Sequence, residues 1–115
     1  MPRCLDHIAL VVRSPERTAQ LFAQVFDDAR VQPGDGDHDT VVRLGGVCLV
    51  LVCGAPPAAR NGDHVAFAVS KAEQLACAAR LRAAGIECLM ARGDTALYFD
   101  DYDNHVFELD VVEAG

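Results

Sequence analysis

Three side chains in this sequence have the types and settings of ligands to one divalent cation: His7, His64 and Glu108. Two imidazole nitrogens and a carboxylate suit Zn²⁺, Mn²⁺, Fe²⁺, Co²⁺ or Ni²⁺, and they leave coordination positions open for a substrate. Each histidine follows an aspartate and opens an apolar run, Asp6-His7-Ile8-Ala9-Leu10-Val11-Val12 and Asp63-His64-Val65-Ala66-Phe67-Ala68-Val69. Alternation along a strand puts His7 on one face with Ala9 and Val11, and His64 with Ala66 and Ala68. The bulkier neighbours point the other way, so the histidine side has room for a cavity. Near the other end, Phe107, Leu109 and Val111 form an apolar face, and Glu108 projects opposite with Val106 and Asp110. A carboxylate flanked by core residues needs a partner, because burying an unpaired charge is costly.

A single histidine near a chain start is more often structural than a ligand. Two histidines in matching slots of an internal repeat, joined by Glu108, favour the metal. The 57-residue spacing from His7 to His64 carries Glu108 back onto Leu51, between Val50 and Val52. Three protein ligands are therefore expected, not four. His105 lies three residues before Glu108, but the preceding Asp-Asp-Tyr-Asp-Asn reads as a turn and the following residues alternate as a strand. His105 therefore points away from Glu108 and is assigned a structural role. His38 sits in a polar loop, where exposure is the default.

The elements that must position these residues follow from the repeat. Each copy reads strand, helix, then three strands, which predicts an α+β fold of two tandem βαβββ modules with curved mixed sheets. The modules span about 4–54 and 61–112 within a single domain of 1–115. Ser14 is an N-cap with Pro15 at the first helical position and Glu16 complementing the helix dipole. Ser70 and Glu73 have capping-box spacing, and Gly85 ends the second helix. The first helix is expected to bury Thr18, Leu21, Phe22, Val25 and Phe26; the second, Ala72, Leu75, Ala76, Ala79 and Ala83. Strands are predicted near 29–32, 40–44 and 47–53, then near 86–90, 95–100 and 105–111. A polar loop covers 33–39, and the linker 54–62 joins the modules.

Composition narrows the function further. The formal charge of -7 would repel nucleic acid or an anionic membrane. The longest apolar run, Val47 to Cys53, is too short to span a bilayer. With no apolar signal core at the start, a cytoplasmic protein is expected. The five cysteines, at 4, 48, 53, 77 and 88, include no Cys-x-x-Cys pair. They read as inert core thiols, with Cys4 the one to watch beside the metal strand.

The paired Asp-His-[Ile/Val]-Ala strands and the closing segment 97–109, Leu-Tyr-Phe-Asp-Asp-Tyr-Asp-Asn-His-Val-Phe-Glu-Leu, resemble the vicinal-oxygen-chelate superfamily of glyoxalases, extradiol dioxygenases and bleomycin-binding proteins. Within it they are most similar to the epoxide-hydrolysing branch of the fosfomycin-resistance enzymes. The resemblance implies a homodimer with one divalent metal, Mn²⁺ favoured, held by His7, His64 and Glu108. It implies a metal acting as Lewis acid on an epoxide oxygen while water or a thiol attacks carbon. Tyr98 matches the tyrosine that contacts the phosphonate, with Arg92 as the available cation and Asp39, or His38, as the base. Ala9 stands where the family often has threonine, and no arginine follows the Glu108 strand. Other functions on the same frame are glyoxalase-like isomerisation or epimerisation, dioxygenation with Fe²⁺, and metal-free binding of a small antibiotic. No second glutamate supports the isomerase, and no tryptophan supports aromatic stacking in a binding module.

Overall fold

The computed structural model describes residues 3–112, in two compact units, the first ending at Pro56 and the second starting at Pro57. The first unit contains β1 (Ile8–Val12), α1 (Pro15–Val25), β2 (Arg30–Gln32), β3 (Thr40–Leu44) and β4 (Val47–Cys53). The second contains β5 (His64–Val69), α2 (Lys71–Ala83), β6 (Cys88–Ala91), β7 (Ala96–Asp100) and β8 (Val106–Val111). Each is a βαβββ unit with its own four-stranded mixed sheet, ordered β1-β4-β3-β2 in one and β5-β8-β7-β6 in the other. β1 pairs parallel with β4, and β5 with β8; the remaining neighbours are antiparallel. Strand ends differ from expectation by up to two residues, as frayed ends do. His7 therefore precedes β1, and His105 precedes β8. The ends of the expected single domain, residues 1–2 and 113–115, lie outside the described residues. No helix among the described residues is long and apolar enough to cross a membrane.

Both helices start where their caps place them. The Ser14 hydroxyl accepts from the Arg17 amide at 3.3 Å, and the Ser70 hydroxyl from the Glu73 amide at 3.1 Å. Pro15 needs no partner for the amide proton it lacks. At the end of α2, Gly85 takes a left-handed φ of 80°. Its amide donates to the Arg82 carbonyl at 3.0 Å, and the Ile86 amide to Leu81 at 2.9 Å. That pair of bonds is a Schellman cap, which favours glycine at the left-handed position.

The inward face of α1 agrees with expectation: Thr18, Leu21, Phe22, Val25 and Phe26 are buried. The face of α2 does not. Ala72, Leu75, Ala79 and Ala83 are exposed and Ala76 is half-buried, whereas Gln74, Cys77, Ala78 and Leu81 are buried. Alanines lie all round this helix, so apolarity alone marks no stripe; the polar Gln74 was the misleading residue. Its side chain is fully buried, with Nε2 donating to the carbonyls of Thr95 at 3.1 Å and Leu109 at 3.0 Å. Oε1 accepts from the Lys71 ammonium at 2.9 Å. The amide thereby ties α2 to the back of β8, one residue from Glu108. Gln74→Leu should cost about 2 kcal/mol, because it withdraws a donor from the buried Leu109 carbonyl and from the part-buried Thr95 carbonyl and takes an acceptor from Lys71. Thermal denaturation reads this directly; an unchanged midpoint would mean that the amide adds nothing beyond packing.

Register corrects another expectation. Ala66 pairs with Glu108, and its repeat partner Ala9 pairs with Val50. The structural counterpart of Glu108 is therefore Val50, one residue before Leu51, which points into the core. Ala9 and Val50 are 41 positions apart, Ala66 and Glu108 are 42, and a constant shift cannot follow that one-residue difference. Val50, like Leu51, carries no atom that could ligate a metal. The cysteines also need correcting: only Cys77 is buried, Cys48 and Cys88 are half-buried, and Cys4 and Cys53 are exposed. Burial pushes the Cys88 thiol pKa up, with nearby Arg82 partly opposing it, which disfavours the reactive thiolate.

Candidate metal and anion site

The chemistry of the second unit collects on one row across its sheet. Ala66 of β5 faces Glu108 of β8, which faces Tyr98 of β7, which faces Leu89 of β6. Cross-strand partners share a face, so this register alone sets the Tyr98 ring beside the Glu108 carboxylate. His64 lies two residues from Ala66 and joins the same face.

The His64 ring has a defined polarity. Nδ1 lies 2.9 Å from the Gly62 carbonyl, which can only accept, so Nδ1 carries a proton. In the neutral ring Nε2 then presents a lone pair, and it sits 3.2 Å from Glu108 Oε1. Two acceptors face each other, and they are reconciled by a proton on Nε2 or by a cation bound to both. Ligands about 2.1 Å from a common ion lie about 3.0–3.4 Å apart in octahedral or tetrahedral arrangement, and this pair falls within that range. The donor set fits a divalent cation.

His7, in the first unit, is prepared similarly: its Nδ1 lies 2.7 Å from Asp6 Oδ2. A carboxylate on one ring nitrogen orients the other for a metal. Among the described residues, however, no three His, Cys, Asp or Glu side chains are grouped to hold an ion. Of the three expected ligands, His64 and Glu108 meet within the second unit, and His7 belongs to the first.

Glu108 carries the strongest constraint, because its side chain is only 4% exposed. Its second oxygen, Oε2, is engaged by Arg92 Nη2. Arg92 Nη1 donates to the Tyr98 hydroxyl at 3.2 Å, and Nη2 lies 3.7 Å from Asp110 Oδ1. The His64 ring meets the Tyr98 ring edge-on, with centroids 5.8 Å apart. The arginine pKa is raised further, first by the Tyr98 hydrogen bond and then by the Glu108 charge. Arg92, expected only as an anion's partner, is thus held by the expected metal ligand. The sequence offered one sign of this: a buried carboxylate demands compensation, and Arg92 is the nearby cation on the same unit.

The turn that delivers Arg92 is unusual. Arg92, Gly93 and Asp94 have φ of 51°, 61° and 65° in succession, a left-handed run that side chains other than glycine rarely adopt. It is held from both sides. The Thr95 hydroxyl donates to the Arg92 carbonyl at 2.7 Å, and the Lys71 ammonium to the Asp94 carbonyl at 2.6 Å.

The expected base candidates lie in the first unit. His38 and Asp39 are exposed and help line a cavity of about 410 Å³ with Asp35, Val41 and Val50. Their loop closes tightly at Gly34, where a Cβ would run into the His38 carbonyl and the Thr40 amide. A second cavity, about 430 Å³, includes Tyr98, Cys88 and Arg60 in its wall but neither His64 nor Glu108. His105 is structural, as expected: Nδ1 binds Asp101 Oδ2 at 2.7 Å, away from Glu108.

Comparison with known proteins agrees with this frame. Residues 4–109 match the Glyoxalase/Bleomycin resistance protein/Dioxygenase superfamily. The fosfomycin resistance protein FosX of Mesorhizobium japonicum is 29% identical, over 91% of this chain and 83% of that protein. The crystal structure of FosX from Listeria monocytogenes in its monoclinic form at pH 6.5 superposes with a TM-score of 0.86 at 27% identity, covering 99% of this chain and 94% of that one. A mutant of the Listeria monocytogenes protein, complexed with Mn(II) and 1S,2S-dihydroxypropylphosphonic acid, superposes with a TM-score of 0.85 at 26% identity and the same coverage.

Proposed function

Because the chain belongs to the Glyoxalase/Bleomycin resistance protein/Dioxygenase superfamily, we propose that it is a divalent-metal enzyme, Mn²⁺ favoured, that opens the epoxide of fosfomycin or a related small phosphonate. The observation that carries this reading is the apposition of His64 Nε2 and Glu108 Oε1 at 3.2 Å, with a cationic guanidinium and a phenol on the same face. The FosX complex with Mn(II) and a dihydroxypropylphosphonic acid supports it. A phosphonate bearing a 1,2-diol is what remains after water opens a 1,2-epoxypropylphosphonate.

In this reading His64 and Glu108 hold the metal, with His7 as third ligand, and the protein works as a homodimer. Bound there, the cation would supply Lewis acidity to the epoxide oxygen. The Gly62 carbonyl keeps Nδ1 of His64 protonated and so keeps Nε2 available. The Tyr98 hydroxyl and the Arg92 guanidinium orient the phosphonate. Asp39, or else His38, accepts the proton of the attacking water. A glyoxalase-like reaction would want a second metal-site carboxylate, and the counterpart position is Val50.

The test is ³¹P NMR of fosfomycin incubated with Mn²⁺-loaded protein in H₂¹⁸O, with and without added thiol. A new phosphonate carrying one ¹⁸O is the expected product. Fosfomycin left intact by fully metal-loaded protein, with water and with thiol, would eliminate the epoxide substrate.

A further inference from the structure

Glu108 is engaged at both oxygens, and a metal loading there would compete with the guanidinium for its charge. Oε1 faces His64 Nε2, and Oε2 is held by Arg92. A divalent ion at His64 and Glu108 would place two like charges, its own and the guanidinium's, on one buried carboxylate. Resting on the metal reading above, we propose that Arg92 is a place-holding cation. It neutralises Glu108 in the metal-free protein and yields the carboxylate on metal loading, which turns its guanidinium toward an oxyanion beside Tyr98.

Four features make Arg92 suited to this exchange. Glu108 is nearly inaccessible, so the metal-free protein must compensate its charge from within. Arg92 itself is half exposed, 54% for its side chain, so its head can leave without losing a packed position. Nη1 already engages the Tyr98 hydroxyl, and Asp110 lies 3.7 Å from Nη2, so a released guanidinium stays on this face. Finally, the left-handed turn is pinned at the Arg92 and Asp94 carbonyls, which confines the change to the side chain. Metal and oxyanion then bind with positive coupling, because the metal releases the group that receives the anion.

The experiment is calorimetric titration of metal-free wild type and Arg92→Gln with Mn²⁺, in phosphate-free buffer and again with inorganic phosphate. Removing the competitor should tighten Mn²⁺ binding by about five- to tenfold without phosphate. The gain in Mn²⁺ affinity produced by phosphate should be smaller in the variant than in wild type. In parallel, the Arg92 ¹⁵Nε resonance of wild type should shift on titration with diamagnetic Zn²⁺, a readout that requires no variant. Mn²⁺ binding equal or weaker in Arg92→Gln, or an Arg92 resonance unmoved by saturating Zn²⁺, would overturn the exchange while leaving the metal reading intact. A wild type that binds neither ion would instead remove the metal reading, and the exchange with it.

Discussion

Replacing Glu108 with glutamine is expected to weaken Mn²⁺ binding by more than about a hundredfold while moving the stability of the metal-free protein by no more than about 1 kcal/mol. The two effects separate because a neutral amide is a poor ligand for a hard cation but a good steric replacement for a carboxylate. The amide oxygen can still accept from Arg92, and the amide nitrogen can donate to the Nε2 lone pair of His64, which lies 3.2 Å from Glu108 Oε1. The charge left behind is the Arg92 guanidinium, which is 54% exposed and stays solvated, so losing its counter-ion costs far less than stranding a buried charge would. His64→Ala should lose the metal equally. Calorimetric Mn²⁺ titration and thermal denaturation of both variants separate the alternatives. If Glu108 were only the internal counter-ion of Arg92, metal affinity would survive in Glu108→Gln and only the unfolding midpoint would respond.

Much of this arrangement could be read from residue order because the relevant signals are local. A histidine at the head of an apolar run, repeated 57 residues later, needs only strand alternation to define its face. Ser14 and Ser70 cap helices through bonds three residues away, so their neighbours identify them. What was missed depends on long-range partners. Nothing adjacent to Gln74 announces that it bridges two carbonyls 21 and 35 residues away, and its polarity argues for the wrong helix face. Val50 displaces Leu51 because pairing, and not sequence offset, decides which residues face each other. Arg92 meets Glu108 because a left-handed turn at 92–94 aims it there, and such a turn at Arg-Gly-Asp has no compositional signature beyond its glycine. The exposed Cys4 and Cys53 show the limit of reading burial from residue type.

The turn between β7 and β8 should be the most sensitive structural point outside the site, and Asp101→Ala is expected to destabilise the protein by about 3 kcal/mol. The Asp101 carboxylate is wholly buried and accepts three hydrogen bonds. They come from the Asp103 amide at 2.8 Å, the His105 amide at 2.9 Å and His105 Nδ1 at 2.7 Å. The Asp101 amide in turn donates to the His105 carbonyl at 3.0 Å, closing the loop on itself. Alanine would leave those three donors without their acceptor, which costs more than the bonds alone contribute. For a unit of this size the loss corresponds to a fall in thermal midpoint on the order of 15 °C. Asp101→Asn keeps one acceptor and should fall between wild type and alanine. The loop also holds the register that sets Tyr98 opposite Glu108, so Asp101→Ala should weaken Mn²⁺ binding even below its unfolding transition, where Asp101→Asn retains more. A midpoint within 2 or 3 degrees of wild type in Asp101→Ala, roughly the scatter of a half-kilocalorie effect, would show that the strands keep their register without the carboxylate.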